Sequence, residues 1–452
     1  MKNLQFATTA LLLLSLAATA SAKERYLYIL SNNIEDGQNS VIAYHRLSDG
    51  QLRPLEAGPF LTRGSGIDNN TNGKLGPNDN DTPLVVSEDR TRLFAVNGHS
   101  NTIAAFDIAR DGTLQHVPGS PFPSHGVAPV SLALSGDILV AANRNEDPNQ
   151  LPSLRGADLA NYATFRVDDR GGLTFLSKVD LADGQKNTQV LVSQRDARLV
   201  FGNDFQVDAD FDGDGTISKL FGNEAQVRGG LQVFRLDGSG RLTRSHRLAL
   251  PETVQPAPEV PTVPLGIWDH PTKELLYVGL VTRNQLGVFR YDQDGKLSFL
   301  NAVANSGQDI CWLKSSPDGT RLYAVNNLPR EDRKDVGSTI TVFDISGKRA
   351  EMPVELGRVE LPDPFGTFVN NRAMPQPNST AFQFDIDENF LYVINQRVNQ
   401  TPENTKPDGN VLHTVKLDPS GKLAVAASRP LGQDGVAVRA RPQGVVCLDI
   451  DG

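Results

Sequence analysis

The chain is poor in cysteine, with only Cys311 and Cys447 among 452 residues. A disulfide requires Cα atoms within about 7 Å of each other. The sequence contains a repeat of short strands, and one whole repeat unit separates the two cysteines. We therefore expect two small buried apolar residues and not a disulfide framework.

Clustered basic charge is also lacking. The formal net charge is -9, and the Lys and Arg residues are scattered along the sequence. Nucleic acids and anionic membrane surfaces bind clusters of basic residues. We therefore expect neither as a partner, and we expect a monomer.

Familiar catalytic signatures are missing as well. The sequence contains no Gly-x-Ser-x-Gly elbow, no His-Glu-x-x-His motif and no glycine-rich phosphate loop. Any catalysis must therefore use residues that no short motif marks.

One apolar run, residues 7–18, lies near the amino terminus, between Met1-Lys2 and Ala20-Ser21-Ala22. This layout is typical of a secretory signal peptide with an Ala-x-Ala cleavage site. The alternative is a transmembrane anchor, but the run is short for a bilayer. No Cys follows the cleavage site, so we expect residues 1–22 to be removed and the protein to be periplasmic or secreted, neither a lipoprotein nor membrane-anchored.

What the chain does have is a repeat. An apolar strand ending on Asn or a similar residue, a gap, a second apolar strand, and then Asp-Gly or Ser-Gly with Leu recur seven times. The units are 26–52, 93–114, 138–173, 199–242, 275–297, 322–348 and 390–423. A further strand precedes every unit but the first, so each unit reads as a four-stranded antiparallel sheet. Repeats of this kind are typical of propellers.

The missing strand of the first unit has a candidate at the other end of the chain. Residues 444–449 show its pattern. A ring must hide its edges, and a terminal strand completing the first blade does so. We therefore predict an all-β fold: a single domain over 23–452, a seven-bladed β-propeller closed by its C-terminal strand.

The extra length lies in loops that propeller topology assigns to one face. These are the links between second and third strands and between blades. They cover 58–83, 143–161, 204–229, 251–264, 326–337, 362–380 and 396–410. Such a concentration favours a binding surface over harmless surface excursions.

One insertion, 204–229, resembles a calcium-binding loop. Its candidate oxygen ligands are Asp210, Asp212, Asp214, Thr216 and Ser218. Phe221 stands where the last, bidentate Glu is expected, so Asp208 or Glu224 would have to complete the site. We expect a structural Ca²⁺ here; the alternative is a solvated acidic turn. A second Asn/Asp-rich cluster, residues 68–72 and 78–81, lacks this spacing, and we interpret it as a loop held by side-chain to backbone hydrogen bonds.

Candidate catalytic residues follow strands on the long-loop face. They are His99, Arg144, Glu146 and Arg397. Near the axis, an Arg could stabilise an oxyanion while a His or Glu carries a proton. The alternatives are a hydrogen-bonded loop residue for His99 and surface ion pairs for the others.

Two stretches carry a family resemblance that covers nearly all of the chain after residue 22. They are residues 93–106 with Asp111-Gly112-Thr113-Leu114, and residues 316–326. Both resemble the lactonase-type seven-bladed propellers, which include 6-phosphogluconolactonase, the fungal carboxy-cis,cis-muconate cyclase and exported members of unknown activity. The resemblance implies a propeller whose enzymes use His, Arg and Glu at the axial end of the ring.

Two function classes follow. The first is an exported hydrolase of a lactone or similar cyclic ester, acting at the axial end of the long-loop face. The second is a non-catalytic propeller that binds a protein, glycan or small ligand on that face. A propeller scaffold hosts both kinds of function, so the site must decide between them.

Overall fold

The computed structural model describes residues 23–68, 80–147, 159–182, 185–206, 211–212, 216–217, 229–251, 254, 263–328, 338–363, 367–369, 375–398 and 409–450. Among these residues, seven sheets of four or five antiparallel strands form the blades of a ring. The predicted seven-bladed β-propeller is confirmed. Among the described residues, no helix has the length and hydropathy that a membrane span requires.

Within each blade, the strands follow one another from the inner to the outer edge. Blade 1 has Gln443–Ile450, Glu24–Leu30, Ser40–Arg46 and Leu52–Pro54, with Phe60–Leu61 also pairing with the third. Blade 2 has Leu84–Val86, Arg92–Asn97, Thr102–Ile108 and Leu114–His116, with Phe122–Pro123 also pairing with the third. Blade 3 has Pro129–Ser135, Ile138–Asn143, Asn161–Val167 and Leu173–Asp180. Blade 4 has Gln185–Val192, Leu199–Gln206, Gly230–Leu236 and Leu242–Ala249.

Blade 5 has Pro264–Asp269, Leu275–Leu280, Gln285–Tyr291 and Leu297–Ala304. Blade 6 has Gln308–Ser315, Arg321–Leu328, Thr339–Asp344 and Val354–Glu360. Blade 7 has Ser379–Ile386, Phe390–Arg397, Val411–Leu417 and Leu423–Pro430. The described residues also include the two-stranded ribbons Phe211–Asp212 with Thr216–Ile217 and Thr367–Val369 with Pro375–Pro377, and the 3-10 helices Val281–Arg283, Gly347–Ala350 and Leu431–Asp434.

Burial explains why the second strands read as continuous apolar runs. Phe390–Arg397 is buried along its whole length because neighbouring blades cover both of its faces. The outer strand of the same blade, Leu423–Pro430, alternates between exposed and half-buried residues. The apolar core is therefore a set of layers between blades.

The chain ends close the ring as predicted. The strand Gln443–Ile450 pairs antiparallel with Glu24–Leu30. The Nε of Arg46 donates to the Tyr26 carbonyl at 2.8 Å, and its two terminal nitrogens bind the carboxylates of Asp387 and Asp449. The Arg46 side chain is 2% exposed. One buried guanidinium thus ties the closing strand and the first strand to blade 7.

Before the inner strand of blade 2, residues 80–82 fill the centre of the ring. The Asn80 carbonyl accepts hydrogen bonds from Trp312 and Gln383, on the inner strands of blades 6 and 7. The Asn80 side chain donates to Gln443 of blade 1. The next backbone groups reach blades 4 and 3, since the Asp81 N–H donates to the Thr188 carbonyl and the Thr82 carbonyl accepts from Leu132 N–H. Five blades therefore hold this segment at the axis.

Candidate functional site

Side chains from four linkers form an electrostatically coupled group on the long-loop face above blades 1 to 3. They are His99, Asp147, Asp68, Arg439 and Arg441, and we call them the His99 cluster. Each comes from a different blade junction or strand link, except the two arginines, which share the link from blade 7 to blade 1. The ring closure is what brings residues from both chain ends together here.

The central contact joins His99 to Asp147. The Nδ1 atom of His99 lies 2.6 Å from Oδ2 of Asp147. The Asp147 side chain is fully buried, whereas the imidazole is 38% exposed. An ionised carboxylate only accepts hydrogen bonds, so the Nδ1 of a neutral His99 carries the proton and Nε2 is the acceptor nitrogen.

The backbone that carries Asp147 is pinned to the preceding linker. After the strand Ile138–Asn143, the Arg144 N–H donates to the Ala128 carbonyl at 2.9 Å, and the Asn145 N–H donates to the Val127 carbonyl at 2.8 Å. Lys186, from blade 4, donates to the Asn145 carbonyl at 2.8 Å. These bonds fix the position from which the Asp147 carboxylate meets the imidazole.

A strap, residues 64–68, lies between blades 1 and 2. The Ser65 carbonyl accepts the His99 N–H at 3.3 Å, and the Ser65 N–H donates to Ser100 Oγ at 2.6 Å. On the other side, the Asn32 amide holds both backbone groups of Ile67, accepting from its N–H at 2.9 Å and donating to its carbonyl at 3.1 Å. The strap is therefore anchored to two blades immediately before Asp68.

The Asp68 carboxyl ends the strap within the cluster. Its Oδ2 lies 3.4 Å from the guanidinium of Arg439, and its side chain is 14% exposed. Burial raises the pKa of Asp68, and the charge of Asp147 raises it further, whereas Arg439, Arg441 and His99 lower it. The net direction is upward, so this carboxyl holds its proton more tightly than a solvated one.

The linker with the two arginines is held by amide side chains. Asn33 donates to the Gly435 carbonyl at 2.9 Å and accepts from Ala437 N–H at 2.8 Å. Asn410 donates to the Ala440 carbonyl at 2.9 Å, and the Arg397 guanidinium binds the Val438 carbonyl. Arg439, which extends from this linker, remains 44% exposed.

The four predicted catalytic residues thus take different places. His99 lies at the centre of the cluster. Arg144 and Glu146 share the link that carries Asp147, but they are buried and paired with each other, Nε to Oε2, at 2.6 Å. Arg397 is buried behind the segment that presents Arg439. Only the first of the four presents a partly exposed ionisable side chain.

Sequence reasoning missed Asp147, Asp68, Arg439 and Arg441. Asp147 follows Glu146 directly, and Asp68 opens the Asn/Asp-rich stretch interpreted as a plain loop. No motif links these positions to His99. What brings them together is the convergence of linkers, which spacing along the chain does not reveal.

The predicted calcium ligands lie largely outside the described residues. This holds for Asp208, Asp210, Asp214, Ser218 and Glu224. The backbones of Asp212 and Thr216 pair with each other across a short ribbon. Within the part of the chain that the structure describes, no group of three His, Cys, Asp or Glu residues is placed to hold a metal ion. The calcium loop stays a prediction, as does the signal segment 1–22.

The geometry of the cluster suits activation of water. An imidazole oriented by a buried carboxylate can take a proton at its other nitrogen, because the carboxylate stabilises the imidazolium that forms. A nearby exposed guanidinium can stabilise a developing oxyanion. An imidazole that could serve as a general base and a guanidinium that could bind an anion therefore belong to one cluster.

Solved structures resemble this chain along almost its whole length. They include a candidate 6-phosphogluconolactonase from Bacteroides uniformis, with 14% identity, 94% of this chain and 99% of that chain covered, and a TM-score of 0.61. A second from Bacteroides fragilis has 15% identity, 96% and 99% coverage, and a TM-score of 0.59. A periplasmic gluconolactonase from Pseudomonas aeruginosa has 16% identity, 94% and 99% coverage, and a TM-score of 0.60.

At these identities, the likenesses show a shared fold. No protein-family model matches the chain, and no curated protein matches it significantly.

Proposed function

We propose that the chain is an exported lactonase-like β-propeller that hydrolyses a lactone or similar cyclic ester at the His99 cluster. The observation that carries this proposal is the 2.6 Å contact between His99 Nδ1 and the fully buried Asp147 carboxylate. A His on a solvated loop has no need of such a partner, whereas a general base does. The likeness to a protein described as a periplasmic gluconolactonase supports the same class of substrate.

In the proposed reaction, His99 Nε2 takes a proton from a water molecule as its oxygen attacks the lactone carbonyl carbon. The negative charge of the tetrahedral intermediate falls on the former carbonyl oxygen, where Arg439 stabilises it. Asp147 holds the imidazole in the required tautomer and stabilises its charged form. Arg144, buried against Glu146, orders the linker and does not contact the substrate.

The first test follows acid release in a pH-stat from a panel of γ- and δ-lactones. We expect His99→Gln to lower kcat by about 10²-fold or more, since the general base is lost. Asp147→Asn should lower kcat as well, because an amide neither enforces the tautomer nor stabilises the imidazolium. Activity should survive chelation, because no step uses a metal.

His45 offers a matched control. Its side chain is also 38% exposed and lies beside a carboxylate, Glu24, at 3.9 Å, but on a strand of blade 1. His45→Gln should keep full activity. A wild-type chain that opens none of the lactones would contradict the proposal. Saturable binding of a glycan or protein in that case would support the binding module.

A further inference from the structure

The His99 cluster contains a second carboxyl that the hydrolysis so far leaves without a role. Asp68 is 14% exposed on the same surface as the imidazole and as Arg439, which is 44% exposed. The Asp68 carboxyl is therefore mostly buried, but the exposed part can contact a bound molecule. Asp147, by contrast, is fully buried behind His99 and cannot reach a substrate.

We propose that Asp68 is the general acid of the lactone hydrolysis, donating its proton to the ring oxygen as the carbon–oxygen bond breaks. This inference rests on the proposed function. It assigns separate tasks to the two carboxyls of the cluster, with Asp147 orienting the base and Asp68 serving the leaving group.

The backbone around Asp68 suits a catalytic position. The strap is bonded to the turn that carries His99, through the His99 N–H to the Ser65 carbonyl. Asn32 fixes the residue just before Asp68 by two hydrogen bonds to Ile67. Gly66 lies so close to Asn32 that an added Cβ would meet its carbonyl oxygen at 2.4 Å. The acid and the base are therefore held on one connected framework.

The proton balance closes with these two residues. Water adds to the carbonyl carbon, and its proton passes to His99 Nε2. When the intermediate collapses, the electrons of the ring carbon–oxygen bond move to the ring oxygen, which takes the Asp68 proton and becomes a hydroxyl. The imidazolium then returns its proton through solvent, and Asp68 is reprotonated. The net change is one water added and one hydroxy acid formed.

Electrostatics supports the same assignment. Burial keeps the pKa of Asp68 above its usual range, although Arg439 and Arg441 oppose this. The other charged groups that face it are Asp147, which favours the protonated form, and His99, which disfavours it. Two titratable groups with opposite tasks in one site are a recurring pattern in hydrolases.

The test compares two lactones that differ in their leaving group. δ-Valerolactone releases an alkoxide, which needs protonation, whereas dihydrocoumarin releases a phenoxide, which leaves readily without it. Asp68→Asn should lower kcat on δ-valerolactone by about 10²-fold, the usual contribution of a general acid. On dihydrocoumarin the loss should stay within a few-fold. Asp68→Glu should recover part of the δ-valerolactone activity.

Asp36 provides the matched control, as an exposed carboxyl on the same face whose Oδ1 lies 3.5 Å from Ser65 Oγ. Asp36→Asn should change neither rate.

Equal losses on both lactones with Asp68→Asn would overturn the acid role and leave a structural one. If that variant does not fold, the wild-type chain decides: a kcat on δ-valerolactone within about ten-fold of that on dihydrocoumarin supports an internal acid for the alkoxide. A kcat about 10²-fold or more lower on δ-valerolactone overturns it. Failure of the wild type on both lactones instead overturns the proposed function.

Discussion

At the scale of single residues, the histidines of the propeller differ in the hydrogen-bond partners of their imidazole rings. His413 is buried, its Nδ1 lies 2.8 Å from Ser428 Oγ, and burial lowers its pKa to about 4. It therefore stays neutral and serves packing. His116 is held between Ser120 and a carbonyl of the preceding blade. Of these three, only His99 combines a buried carboxylate partner with a place in a cluster of charged side chains.

A residue at the axis should make stability depend on pH. Burial inside the ring raises the pKa of Asp81 from 3.8 to about 7, Lys314 opposes this rise, and Asp385 adds to it. The folded chain thus holds this proton more tightly than the unfolded chain, and its contribution to stability is lost as pH rises from about 4 to 7. Asp81→Asn, which mimics the protonated carboxyl, should remove that loss.

The measurement is the urea midpoint of wild type and variant at several pH values. The stability of Asp81→Asn relative to wild type should grow between pH 5 and pH 7 by on the order of 1–2 kcal/mol. Asp294, which is 95% exposed, gives the control variant Asp294→Asn with no such trend. A difference that does not vary with pH would show that Asp81 does not titrate in this interval.

At the scale of elements, strands and linkers differ in what the sequence reveals. A strand such as Ile138–Asn143 is buried throughout and apolar up to its final Asn because blades cover both faces, and that pattern can be recognised in the sequence. The strap depends instead on Asn32, 35 residues away, whose side chain contacts Ile67. Such a long-range contact produces no periodic pattern in the sequence. The blades could therefore be predicted, whereas the site carried by the linkers could be predicted only at His99.

Arg46 joins three elements, and its loss should weaken the closure of the ring. Arg46→Leu removes a buried cation and leaves the carboxylates of Asp387 and Asp449 without it. We expect a loss of about 3 kcal/mol in the free energy of unfolding. Hydrogen exchange should accelerate first in Gln443–Ile450 and Glu24–Leu30.

Arg290 supplies the comparison, since its pair with Glu351 at 2.8 Å is about half exposed on both sides. Arg290→Leu should cost less than about 1 kcal/mol. Similar losses in the two variants, or exchange that accelerates evenly over all blades, would count against a special role for Arg46 in closure.

At the scale of the whole molecule, the fold requires the segment 23–30 at its first blade, and residues 1–22 lie outside the described part of the chain. We expect expression of the full chain in a Gram-negative host to give a periplasmic product that begins at Lys23, measured by intact mass of the osmotic-shock fraction. A version starting with Met followed by Lys23 should stay in the cytoplasm. A full-length product that remains in the cytoplasm, or one anchored in the membrane, would contradict export.

The prediction of one closed ring succeeded because repetition and an unpaired terminal strand are both visible in the sequence. The segment 80–82 could not be anticipated in the same way, because it is held by Trp312, Gln383 and Gln443 from the far half of the chain. Its sequence reads only as loop.

The segment 80–82 determines how a substrate can reach the ring and how a product can leave it. With residues 80–82 bonded to five blades, polypeptide occupies the axis where a through-channel would otherwise run. In the proposed reaction, the lactone therefore enters and the hydroxy acid leaves on the long-loop face alone. Product and substrate compete for access to the His99 cluster on that face. The opposite face of the propeller can then contact other molecules without blocking the reaction.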